Sequence, residues 1–124
     1  MSSESLHEER SVLKPETVDR HRAIASVMEE LEAVDWYDQR VDAAQDDELR
    51  EILAHNRDEE KEHAAMVLEW LRRRDAKFDE HLRTYLFTKE NILEIEEAAD
   101  EDGNGNGAGP SDGSLGIGSL RGEP

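Results

Sequence analysis

Apolar residues recur in alternating steps of three and four from Thr17 to Leu86 and nearly vanish after Ala99. That spacing marks helices with one buried stripe, and its loss marks an ordered body followed by a loose tail. Pro15 suits the first position of a helix and Glu16 the positive end of its dipole. Nothing breaks the pattern until about Ala44, so one long helix is predicted there. Asp46 or Asp47 can cap a second helix running to Arg72, Arg73 and Arg74, where positive charge meets the negative end of the dipole. So short a link makes the two helices antiparallel neighbours. A shorter helix is expected from about Phe78 to Phe87, with Leu82, Tyr85 and Leu86 on one face, and Ile92 to Glu97 adds a further turn or two. The fold class is all-α: an antiparallel two-helix hairpin plus a short C-terminal helix.

Composition changes this picture in one respect. Leu, Ile, Val and Phe make up only about a fifth of the 124 residues and the net charge is -17, values at which disorder begins to compete with a packed core. Periodicity favours order for residues 15–99, which are read as one helical domain. Residues 1–14 are expected to be flexible, 100–113 to be a disordered linker, and 114–122 to be a separate short segment. Two helices bury only one face against each other, and a core this small rarely suffices alone. Dimerisation into a four-helix bundle is the natural remedy. With no cysteine, disulfides play no part. No apolar run approaches the roughly 20 residues of a membrane span, and the polar N-terminus does not resemble a signal peptide, so a cytoplasmic protein is expected. So acidic a surface excludes nucleic acid as a partner and favours cations or basic partners.

Charge also lies inside the stripes. The first helix reads Val27, Glu30, Val34, Tyr37, Val41, and the second reads Leu53, Asn56, Glu60, His63, Val67, Trp70. Burying an unpaired carboxylate costs several kcal/mol, on the order of 3 or more, so something cationic should meet Glu30. One reading pairs Glu30 with an arginine across a subunit interface and makes His63 a hydrogen-bonded core histidine. The other follows from Glu60-Lys61-Glu62-His63, a Glu-x-x-His with both ligands on one helix face. Ferritin-like di-iron proteins use a Glu from each of two helices and a Glu-x-x-His from each of the other two, and this chain carries one of each. A two-fold pair would complete both the core and the ligand set. Oxygen and nitrogen donors without thiolate suit iron or manganese. Tyr37 and Trp36 are close enough in sequence to be redox-active neighbours, or are simply aromatic packing.

Further acid surrounds this stripe. Glu29, Glu32 and Trp36 flank Glu30 and offer a path for incoming cations, while His55, Glu59 and Glu62 share one face of the second helix and offer a surface cation site. Solvated helix faces carry the same patterns.

After Asp102 the run Gly103 to Pro110 has the composition of a flexible linker, and hydrophobic residues return in Ser114-Leu115-Gly116-Ile117-Gly118-Ser119-Leu120-Arg121. Leu115, Ile117 and Leu120 can dock in a partner's groove, with the glycines allowing close backbone approach and the linker supplying reach.

Glu29 to Tyr37 (EELEAVDWY) and His55 to Met66 (HNRDEEKEHAAM) resemble the encapsulated ferritins, and the likeness runs from about Thr17 to Thr88. The resemblance implies a subunit pair that binds two irons through Glu30, Glu60 and His63 of both chains, with Tyr37 nearby and Glu29, Glu32 and Trp36 as the iron-access region. It implies a ferroxidase that oxidises Fe(II) to Fe(III) with dioxygen or peroxide, and pairs arranged in an open ring, a decamer. Such a ring has no interior for mineral and depends on a surrounding shell. The segment Ser114 to Arg121 resembles the targeting peptides of encapsulin cargo, which implies an encapsulin shell as partner and an encapsulin nanocompartment in the cytoplasm as location. The rival from another class is a non-catalytic helical adaptor or metal-buffering scaffold.

Overall fold

The computed structural model describes residues 6–106, and these contain a short 3-10 turn at Arg10–Val12 and four helices, with no strand among them. The helices are α1 (Pro15–Ala43), α2 (Asp47–Arg73), α3 (Ala76–Tyr85) and α4 (Ile92–Asn106). The all-α fold expected from periodicity is the fold observed.

Local chemistry sets each boundary of the hairpin. Lys14 is extended, Pro15 fills the first helical position and Glu16 stands in the first turn of α1. At its other end the Ala44 N–H still bonds the Arg40 carbonyl at 2.9 Å, and the Arg50 guanidinium reaches back to the Ala44 carbonyl. Asp46 caps α2: its carboxylate accepts from the Leu49 N–H at 2.8 Å, supplying a partner to one of the unpaired donors of the first turn. Asp47 and Glu48 follow in the first turn, and Arg72 and Arg73 close the last, as the dipole favours.

The chain divides into two compact units at Arg74, where the sequence reading placed one domain across 15–99. The first unit contains the packed hairpin of α1 and α2, and the second contains α3 and α4. Asp75 begins the second unit as the cap of α3, accepting from the Phe78 N–H at 3.0 Å. Asn91 does the same for α4, accepting from Leu93 and Glu94 N–H groups at 2.9 and 3.3 Å. Between them Phe87 takes the left-handed conformation, φ 64°, just past the end of α3, a place usually given to glycine or asparagine. The Thr88 hydroxyl donates to the Tyr85 carbonyl at 2.7 Å and so pairs one acceptor that the helix end leaves open.

Two expectations need correction. The short third helix is displaced by about two residues from Phe78–Phe87, because Asp75 rather than a later residue caps it. Helix α4 continues to Asn106, into the 100–113 stretch expected to be a disordered linker. Ala98, Ala99 and Glu101 are good helix formers that carry it past the point where apolar periodicity ends.

The core is thin. Val18, Ala64 and Leu71 are the buried hydrophobics among the described residues. Val18 and Leu71 lie near the open end of the hairpin, and Ala64 permits close approach beside His63. Ile24, Met28 and Leu31 remain about half exposed on α1.

Candidate metal centre

Every residue of the two predicted seams is half-buried: Val27, Glu30, Val34, Tyr37 and Val41 on α1, and Leu53, Asn56, Glu60, His63, Val67 and Trp70 on α2. Glu30 and Glu60 stand fifteen residues on either side of Gln45, in the middle of the connector. At about 1.5 Å per residue both lie about 22 Å along their helices from it, hence at one level of the hairpin.

Glu30 has an oxygen, Oε1, that is shut off from solvent and has no hydrogen-bond partner. Native structures rarely leave such an atom unmet, and a role in binding an ion is one of the few physical accounts of it. On α2 the Glu60 side chain is 27 % exposed, and its Oε1 lies 3.6 Å from His63 Nδ1, so the Glu-x-x-His pair converges as helical spacing requires.

Glu59 departs from the expected grouping. Helical spacing groups it with His55 and Glu62 as a surface set, yet its two oxygens face two different histidines: Oε2 is 3.9 Å from His55 Nε2 and Oε1 is 3.8 Å from His63 Nε2. His55, Glu59, His63 and Glu60 therefore form a row along one face of α2. Glu62 instead borders a shallow depression with Ala65, Met66 and Trp70. Among the described residues of one chain, no three acidic or histidine side chains are arranged to hold a metal ion.

The flanking residues Glu29, Glu32 and Trp36 are exposed, Trp36 by about half. Tyr37 lies under the Arg40 guanidinium, 5.3 Å from ring centroid to the cation, a contact that fixes the ring against α1. Ser114 to Arg121 lie outside the described residues.

A cross-helix ion pair escaped the sequence reading. Arg57 Nη1 donates to Asp38 Oδ1 at 3.0 Å, joining α2 to α1, while its Nε donates to Asp58 Oδ1 at 3.1 Å. The bonds to Asp58 and Asp38 push the guanidinium's pKa further up, and the same Arg57 bond, with Lys61 beside it, holds the Asp58 carboxyl below its usual range. The only signal in the sequence is an arginine placed one turn before Glu60.

The chain matches the EncFtn-like family over residues 5–89. An encapsulated ferritin-like protein of Rhodospirillum rubrum is 70% identical over 98% of this chain and 91% of its own length. A ferritin-like protein of Thermotoga maritima is 56% identical over 77% of this chain and 83% of its own. A crystal structure of a Nitrosomonas europaea protein, 61% identical, superposes with a TM-score of 0.69, covering 71% of this chain and 97% of that one.

Proposed function

This chain belongs to the EncFtn-like family, and from that premise we propose that two copies pair seam to seam, hold two irons between them, and oxidise Fe(II) to Fe(III). The observation that carries this reading is the enclosed, unpartnered Oε1 of Glu30, at the level where the second helix presents Glu60 and His63. A single hairpin offers one Glu and one Glu-x-x-His, half the set that a di-iron carboxylate centre uses. The donors fit iron: carboxylate oxygens and imidazole nitrogen, with no thiolate in the chain.

Glu30, Glu60 and His63 of each copy are the ligands in this reading. Iron bound there supplies one electron per ion to an acceptor, dioxygen or peroxide. The carboxylates neutralise the cations. The half-buried seam limits water, and Tyr37 packs against the helix one to two turns from Glu30. The exposed Glu29, Glu32 and Trp36 form the access region, where acidic charge concentrates ferrous ions before they reach the enclosed oxygen.

The name of the Rhodospirillum rubrum relative describes an encapsulated protein, and the alignment with it takes in nearly the whole chain, tail included. We therefore extend the proposal to cargo of an encapsulin shell, docked through Ser114 to Arg121, with the oxidised iron stored in the shell's lumen and the pairs arranged in a ring.

The test mixes purified protein with ferrous iron in air and follows ferric absorbance for wild type, Glu30→Ala and His63→Ala at matched oligomeric state. Rapid oxidation in wild type and its loss in both variants is the expected result. Three equal rates, no faster than buffer, would overturn the enzyme and leave a helical scaffold.

A further inference from the structure

Apolar packing is a soft determinant of the hairpin's axial register. The apolar members of the seams, Val27, Val34 and Val41 on α1 and Leu53 and Val67 on α2, alternate with polar or aromatic residues and meet through contacts that are not directional, so packing resists a slip of one turn, about 5.4 Å, less sharply than a bond does. Helix pairs do slip by single turns where packing allows it. A metal centre built from both helices tolerates no such slip, since its ligands must stand within about 0.5 Å of the productive geometry.

Arg57 adds a directional bond to that packing. It lies one turn before Glu60, and only 23% of its side chain is exposed. Its fork is engaged from both helices at once, by Asp38 of α1 at 3.0 Å and by Asp58 of α2 at 3.1 Å. Lys61 Nζ, 3.3 Å from the same Asp58 oxygen, braces that carboxylate in turn. Side chains on a helix lean toward its N-terminus, so Arg57 leans toward the connector, the direction in which Asp38 lies. A planar guanidinium bound by two carboxylates is directional, whereas contact between apolar side chains is not, and sliding by a turn would break the bond to Asp38.

We propose that Arg57 is a positioning residue for the iron centre: its bond to Asp38 sets the register of α1 on α2 and so keeps Glu30 level with Glu60 and His63. The inference rests on the shared centre proposed above. Arg57 acts through the helices and is not itself a ligand.

The test uses the full-length protein and Co(II), whose visible absorption reports ligand geometry and needs no turnover. Dissociation constant and spectrum are measured for wild type, His63→Ala, Arg57→Ala, Arg57→Lys, Asp38→Asn and the exchange Asp38→Arg with Arg57→Asp, at matched oligomeric state and alongside thermal midpoints. Arg57→Ala and Asp38→Asn should each weaken Co(II) by about 10- to 100-fold, the usual effect of losing a residue that orients ligands, and should alter the spectrum. Arg57→Lys, with a single ammonium, should not restore it, and the exchange should. Wild-type affinity and spectrum in folded Arg57→Ala and Asp38→Asn would overturn the proposal while leaving the centre intact. So would a loss that tracks the thermal midpoint and is not recovered by the exchange. A wild-type spectrum that survives His63→Ala would remove the centre, and the positioning role with it.

Discussion

The middle of the hairpin and the last turns of α2 treat a glutamate in opposite ways. Glu69 accepts bonds from Arg72 at 2.8 and 2.7 Å and from Arg73 at 2.8 Å, all on its own helix. Those bonds, Arg72 first, hold its carboxyl well below the usual range, at about 2. Glu30 has one oxygen, Oε1, shut off from solvent and without a hydrogen-bond partner, whereas the Glu69 side chain is 41% exposed. The reason is positional: its neighbours three and four residues away are Ser26, Val27, Ala33 and Val34, none of which carries charge. A glutamate that serves structure finds its cation within one turn of its own helix. Glu30 is denied one there, and its counter-charge must come from outside the chain's local sequence.

Breaking the comparison should be possible at Glu30. The change Glu30→Met keeps length and shape and removes the unpartnered oxygen. Ferrous oxidation should fall to the buffer rate, while the metal-free protein should gain about 1–3 kcal/mol in urea unfolding, the usual cost of a buried polar atom left unpaired. A variant that loses stability as well as activity would show that Glu30 already has a structural partner. A satisfied carboxylate should respond with the opposite sign. Asp46→Ala removes the bond to Leu49 N–H and should cost about 1 kcal/mol in the same measurement.

The smallest effect belongs to Glu69, whose half-exposed carboxylate is screened by salt. Because its folded pKa lies below the ordinary value of 4.5, its stabilising contribution is complete above that pH and is lost as pH falls toward about 2. The thermal midpoint of wild type should therefore exceed that of Glu69→Gln near neutrality, and the gap should narrow from about pH 5 downward. A gap that does not change with pH would assign the effect to packing rather than charge.

Much of the hairpin was legible because its determinants are local. Pro15, Asp46 and the arginines at the end of α2 act within a turn of the boundaries they set, and the seams follow from alternating steps of three and four, close to the 3.6-residue turn of any helix. The pairing of Glu60 with His63 is legible for the same reason. The Arg57–Asp38 bond spans 19 residues and depends on which helix faces which, so no local pattern announces it. The row joining His55 and His63 through Glu59 needed rotamers, since a carboxylate between two histidines at four-residue spacing can turn to either. Phe87 at positive φ runs against the preference of its side chain, and the extent of α4 was hidden because polar residues with good helix propensity carry no apolar period.

The equal distance of Glu30 and Glu60 from the connector makes the hairpin a pair of matched rulers. One residue inserted into either arm between its glutamate and the connector would turn that carboxylate by about 100° off the seam and shift it by about 1.5 Å. Seven residues would return it to nearly the right face, but about 10 Å out of step with its counterpart. Only compensating changes of the same length in both arms keep the two levels aligned. The arms can therefore drift in composition far more readily than in length, and variation in length is left to the connector, the termini and the second unit.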